Sequence, residues 1–229
     1  MKKSNFVQLL GLLLAVFITP ALAAPPAGYY SSADTSSPAA LRASLHNIID
    51  DHDVVGYGTA YDTIADANED PNNSSNVILF YTGRSTSKSN QGGADGGGLS
   101  GGSFGGYNRE HIFPQSFFNS DSPMVSDMHA LMPTDADTNG ARSNYPFDNV
   151  DSPTDSDSFG NRVDTSGSQN IFEPRDAVKG DVARAAFYMD IRYEGDSGEP
   201  DLTLNDAGPF TTGAGRLGIL STLIQWHKD

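Results

Sequence analysis

The chain has 229 residues, 14 Lys and Arg against 29 Asp and Glu, a formal net charge of −15 and no cysteine. That length suits one domain with its own core, and the missing cysteines exclude a disulfide-stapled fold, so packing, with or without bound metal, must hold it. Such acidity favours solubility and excludes a surface that attracts polyanions over its whole extent.

The N-terminus reads as an export signal. "MKK" is the positive start, "FVQLLGLLLAVFI" the apolar run and "ALA" (Ala21–Ala23) the small-residue cleavage site. The apolar run is shorter than the roughly 20 residues that span a bilayer. Residues 1–23 are therefore expected to be removed. Residues 24–229 should then form one secreted or periplasmic domain, a monomer without a membrane partner.

"SSPAALRASLHNIIDDH" predicts a helix with Ser37 as N-cap and Pro38 in the first turn. Leu41, Leu45, Ile48 and Ile49 make its apolar face; His46 and His52 fall off that stripe and read as surface residues. "NVILFYTGR" predicts a buried strand from Asn76 to a turn at Gly83. The Ser/Gly-rich run from Ser85 to Gly106 predicts a flexible loop outside the core.

"YNREHIFPQSFF" (Tyr107–Phe118) follows, with Glu110 and His111 side by side. Adjacent residues on a strand point to opposite faces, so one pocket should have difficulty using both. In "VSDMHALMPTDADTNGARSNYPF", Thr134 and Asp137 resemble a capping box, which places a short helix start near Thr134. The polar stretch 148–170 predicts a solvated loop without the spacing of an EF-hand. "RDAVKGDVARAAFYMDIRY" predicts a helix burying Val178, Val182, Ala185 and Met189. "GRLGILSTLIQWHKD" predicts a last helix with Leu217, Leu220 and Ile224 inward. The fold class is α+β, with no internal repeat.

Glu110, His111, Asp127, His129 and Asn139 crowd metal-binding and proton-transfer groups into a short span. A hard cation takes oxygen ligands and keeps waters, so one carboxylate and one amide oxygen suffice. A neighbouring imidazole can deprotonate water near neutral pH. A metal beside a base suits phosphodiester hydrolysis. Other readings of the same residues stay open. One has Asp127 orienting the His129 ring in a purely structural bond, and another has Asn139-Gly140 as only a turn. Zinc on His111, His129 and a carboxylate is a further arrangement.

Three motifs, "YNREHIFPQSFF", "SDMHALMPTDADTNGARSNYPF" and "KGDVARAAFYM", stand in this order. Together they resemble the bacterial endonuclease I family of secreted or periplasmic nonspecific nucleases, over roughly residues 107–193, with weaker likeness at "NVILFYTGR". The resemblance implies a ββα-metal (His-Me finger) site, with the His on a β-hairpin and the Asn on a helix packed against it. It implies Glu110 and Asn139 as metal ligands and His111 as general base. Asp127 and His129 would be supporting residues, and Arg142 a contact to the scissile or a flanking phosphate. The cofactor would be Mg²⁺, with Mn²⁺ or Ca²⁺ as alternatives. The substrate would be nucleic acid, double- or single-stranded, DNA or also RNA, cut to leave 5′-phosphates. Two alternatives remain at this stage: an RNA-preferring nuclease with the same site, and a noncatalytic acidic metal-binding module. Because phosphate binding normally rests on Lys and Arg, the acidity also leads to an expectation of activity that tolerates salt.

Overall fold

A computed structural model describes residues 25–92, 98–101, 105–196 and 198–229, so the signal expected at 1–23 lies outside it. Helix α1 (Pro38–Ile49) starts as expected: Ser37 is the N-cap and its side chain accepts from the Ala40 N–H at 3.1 Å. Its apolar stripe is only half covered, and the one fully buried side chain of the helix is His46. The imidazole was expected at the surface, but it is drawn inward because Nδ1–H donates to the Ile191 carbonyl at 3.0 Å. His52 is half-buried, with Nδ1 accepting from Arg192 Nε at 3.1 Å.

Helix α2 (Ala60–Ala67) leads into the antiparallel sheet β1–β2–β3 (Glu69–Asp70, Asn73–Ile78, Ser85–Ser87). The strand expected from Asn76 thus begins earlier and stops at Ile78; Leu79, Phe80 and Tyr81 are buried beyond its end. Gly83 sits in the turn at φ +68°, a conformation that glycine adopts freely. Arg175 fastens this turn to the rest of the fold, donating from Nε and Nη2 to the Phe80 carbonyl at 3.0 and 2.9 Å.

Part of the glycine-rich run departs from the loop expectation. It contains β3 and a single helical turn, α3 (Gly98–Gly101), whose Leu99 is buried in the main core. Residues 93–97 and 102–104 lie outside the described residues.

Strands β4 (Tyr107–His111) and β5 (Leu131–Asp135) pair antiparallel, with Glu110 opposite Met132 and His111 opposite Leu131. Helix α4 (Ala136–Arg142) follows β5 without a break. Its N-cap is Asp135, with no side-chain capping bond, so the helix starts two residues after Thr134. The hairpin takes Thr134 as a strand residue, and Asp135 bonds instead to Thr82 and Arg84.

The stretch expected as a solvated loop forms β6 (Asp155–Ser156) and β7 (Arg162–Asp164), which join β8 (Ile171–Glu173) in an antiparallel sheet. Asp157 Oδ1 gathers the N–H groups of Phe159, Gly160 and Asn161, so local side-chain bonds replace apolar patterning in shaping it.

Helix α5 (Asp176–Arg192) is the longest element and buries Val178, Val182, Ala185 and Met189 as its periodicity predicts. It packs against α1 and the last helix, α6 (Leu220–Lys228), after the short parallel pair β9 (Thr203–Leu204) and β10 (Arg216–Leu217). Leu217 is buried on β10, before α6 begins; within α6 Leu223 and Trp226 face inward and Ile224 is 40% exposed. The phase is shifted by one residue because the helix begins later than the pattern suggested. The result is one α+β domain around a core rich in aromatic residues, among them Tyr81, Phe113, Phe147 and Phe172.

Candidate active site

β4, β5 and α4 form a ββα unit, and a cleft of about 310 Å³ opens at the end of β4. Glu110, His111 and Asn139 all line it, so two neighbours on one strand do reach a single cavity. The strand ends at His111, and the chain turns through Pro114 and Gln115, which wall the same cleft. At a strand end the two faces of the pleat need not stay separated, which removes the difficulty raised by the sequence.

Glu110 is 1% exposed. Its Oε1 accepts from the Tyr81 hydroxyl at 2.6 Å and lies 3.3 Å from Arg142 Nε. Burial pushes the carboxyl above the usual carboxylate range, and the Arg142 charge and the Tyr81 bond oppose that rise. The second oxygen, Oε2, is left for another partner. Burial likewise pushes the Tyr81 phenol well up, and the adjacent carboxylate adds to the shift.

His111 is buried, and its Nε2–H donates to the Val125 carbonyl at 3.0 Å. That bond fixes the tautomer and leaves the lone pair on Nδ1. Burial lowers the imidazole pKa to about 4; the Val125 carbonyl works against this, while Arg109 and Arg142 reinforce it. The ring is neutral at neutral pH, as a proton acceptor must be.

Asn139, half-buried on α4, donates through Nδ2 to Asn108 Oδ1 at 2.7 Å and to the Arg109 carbonyl at 3.2 Å. With the nitrogen committed to β4, Oδ1 is the atom with lone pairs to offer. One carboxylate oxygen and one amide oxygen beside open space form a donor set that fits a hard divalent cation with several waters.

Arg142 lines the same cleft, with its side chain turned into the protein. It is 1% exposed; Nη2 donates to the Ile112 carbonyl at 2.7 Å and Nη1 to the Ser143 carbonyl at 3.1 Å. Its guanidinium lies 4.6 Å from the Phe147 ring centroid. It braces Glu110 and the chain just after β4 from behind.

Asp127 and His129 stand away from the cleft. Asp127 is fully buried, and its Oδ2 accepts from the hydroxyls of Tyr188 (2.9 Å) and Tyr193 (2.7 Å) on and just after α5. Its Oδ1 accepts from the backbone N–H of His129 at 2.9 Å, so the Asp binds the main chain where the sequence had offered the imidazole. His129 is exposed, and its ring lies tilted against that of Tyr188, with centroids 4.6 Å apart. Because His111 and His129 do not line a common cleft, they make an unconvincing zinc pair. Asp127 anchors the segment whose Val125 carbonyl holds His111.

A second cluster brings His46, Asp50 and Asp196 together, with ligand atoms within 4.8 Å of one another. Arg192 and Arg42 already neutralise parts of its rim, at Asp50 and Glu194. Sequence reasoning missed this group, and it missed Tyr81 as the partner of Glu110. Both depend on contacts between distant segments that leave no periodic trace.

The chain matches the family model described as Endonuclease I over residues 37–229. It is 41% identical over 206 residues to an extracellular ribonuclease of Bacillus amyloliquefaciens, covering 88% of this chain and 65% of that protein. It is 39% identical over 224 residues to an extracellular ribonuclease of Bacillus subtilis (strain 168), covering 96% of this chain and 72% of that one. The chain therefore spans roughly two thirds of the length of these relatives.

Proposed function

The chain belongs to the endonuclease I family, and from that premise we propose that it is an exported, divalent-metal-dependent endonuclease with RNA among its substrates. The observation that carries this reading is the convergence of Glu110, His111 and Asn139 on one cleft. The ribonuclease names of the relatives support RNA, where the sequence alone put DNA first, and their extracellular description supports export.

Glu110 Oε2 and Asn139 Oδ1 would hold the cation, a hard divalent ion such as Mg²⁺. When bound, it stabilises the charge that builds on the phosphate and the departing oxygen. Nδ1 of His111 takes a proton from the attacking water, its Nε2–H remaining on the Val125 carbonyl. Water adds to phosphorus as the P–O3′ bond breaks, leaving a 5′-phosphate. Arg142 and Tyr81 act on Glu110, keeping its charge and direction, and Asp127 keeps the 125–129 segment in place behind His111.

The test is cleavage of an unstructured RNA and of supercoiled plasmid by the mature protein, with Mg²⁺ or EDTA, over a salt series. His111→Ala should lower the rate by about 10²-fold or more, and EDTA should abolish cleavage. Metal-independent cleavage, or an undiminished rate in His111→Ala, would overturn the assignment. Loss of RNA cleavage alone, with plasmid still nicked, would make DNA the substrate.

A further inference from the structure

Beside the catalytic cleft lies a second cavity of about 470 Å³ that shares Arg109, Gln115, Asn139 and Ser143 with it. Its other side is built from aromatic rings. The Arg109 guanidinium carbon sits 3.5 Å from the Tyr57 ring centroid and 4.3 Å from that of Tyr61, and Nη1 donates to the Tyr57 carbonyl. Among the described residues, Arg109 has no carboxylate within 4.0 Å, whereas Arg142, the other arginine at the cleft, is paired with Glu110. In a chain of net charge −15, an arginine without an acidic partner at the mouth of the site is chemically selective. It offers positive charge where a phosphate must pass.

The Tyr57 ring also lies 5.9 Å from the His111 ring, so the aromatic wall begins one residue-width from the general base. Two half-buried rings, a fixed cation stacked over both and amide groups next to a scissile phosphate match a nucleotide unit: base against the ring surface that Arg109 leaves uncovered, phosphate toward the arginine, sugar and base edges against the amides. A base already stacked in a duplex cannot enter such a pocket without leaving its helix, which costs free energy. An unpaired base enters directly.

We infer that Tyr57, Tyr61 and Arg109 form a subsite for one unpaired nucleotide flanking the scissile phosphate, which makes single-stranded nucleic acid the preferred substrate. This rests on the nuclease reading of the adjoining cleft, and it adds which strand form is taken and by which residues. Stacking of one base contributes roughly 5- to 100-fold in affinity.

The experiment measures the binding of uridine 5′-monophosphate and of inorganic phosphate by calorimetric titration. It also measures kcat and KM for poly(U) and for an RNA duplex. Wild type, Tyr57→Phe and Tyr57→Leu are compared in each. The wild type should bind the nucleotide at least tenfold more tightly than phosphate and should prefer poly(U). Tyr57→Leu should weaken nucleotide binding and raise the poly(U) KM by about tenfold, with Tyr57→Phe close to wild type. Equal binding of nucleotide and phosphate by the wild type would overturn the subsite. A Tyr57→Leu loss confined to kcat would also overturn it and make Tyr57 a support for His111. Nucleotide binding that depends on Tyr57 without cleavage of any polymer would instead sink the nuclease reading and leave the subsite standing.

Discussion

Tyr81→Phe removes a single oxygen from a fully buried side chain and leaves Glu110 Oε1 with Arg142 alone, at 3.3 Å. The lost bond is charge-assisted and water cannot replace it, so the cost is about 1.5–3 kcal/mol. For a domain of this size, 1 kcal/mol moves the melting temperature by about 2–4 °C, which predicts a fall of roughly 3–12 °C. If Glu110 also grips the cation, loss of a hydrogen bond to the ligand should weaken metal use by about 10–100-fold. Urea unfolding measures the first quantity and the Mg²⁺ concentration for half-maximal cleavage the second. Tyr193→Phe is the control for Mg²⁺ demand, because it removes one phenol from Asp127, which keeps two other donors, and touches neither Glu110 nor Asn139. Unchanged melting together with unchanged Mg²⁺ demand in Tyr81→Phe would refute the assignment of Tyr81 as the group that holds Glu110.

Two further outcomes follow from the same structure. Asp127→Ala strands two phenol donors and a backbone N–H and should destabilise by roughly 3 kcal/mol or more in urea; a change below about 1 kcal/mol would mean the knot is dispensable. His46 faces Asp50, Glu194 and Asp196 at 3.9, 3.9 and 3.3 Å. Burial lowers its pKa, but the Ile191 carbonyl and the Asp196 and Glu194 carboxylates outweigh burial and raise it above 6.5. A folded-state pKa raised in this way stabilises fully below 6.5, and the contribution disappears as pH rises through the raised value. The wild type should therefore lose stability on the alkaline side of 6.5, and His46→Gln should lose that slope; an identical slope in both would exclude His46 as its source.

How much was legible depended on the range of the interactions. α1 and α5 could be read because a cap, a proline and a 3.6-residue period act within a few positions. Motif and order single out Glu110, His111 and Asn139, and the structure brings these three to one cleft. Thr134 was misplaced because a local capping pattern competed with five cross-strand pairs, and the strand prevailed. His46 looked like a surface residue because its reason for burial is a carbonyl 145 positions away. Tyr57 and Tyr61 carried no signal because aromatic residues ahead of and within a short helix are indistinguishable from core until Arg109 is seen beside them.

The support of Glu110 comes from Tyr81, which precedes it, and from Arg142, which follows it. His111 in turn depends on a carbonyl at Val125, held by Asp127 through tyrosines at 188 and 193. No stretch of the chain carries its own reactive centre. On the proposed function a nascent or unfolded copy would be latent, and the capacity to cut would arrive only once these distant segments have come together. Were the chain the nuclease proposed above, that dependence would amount to a built-in safety catch that requires no separate inhibitor while the chain is unfolded.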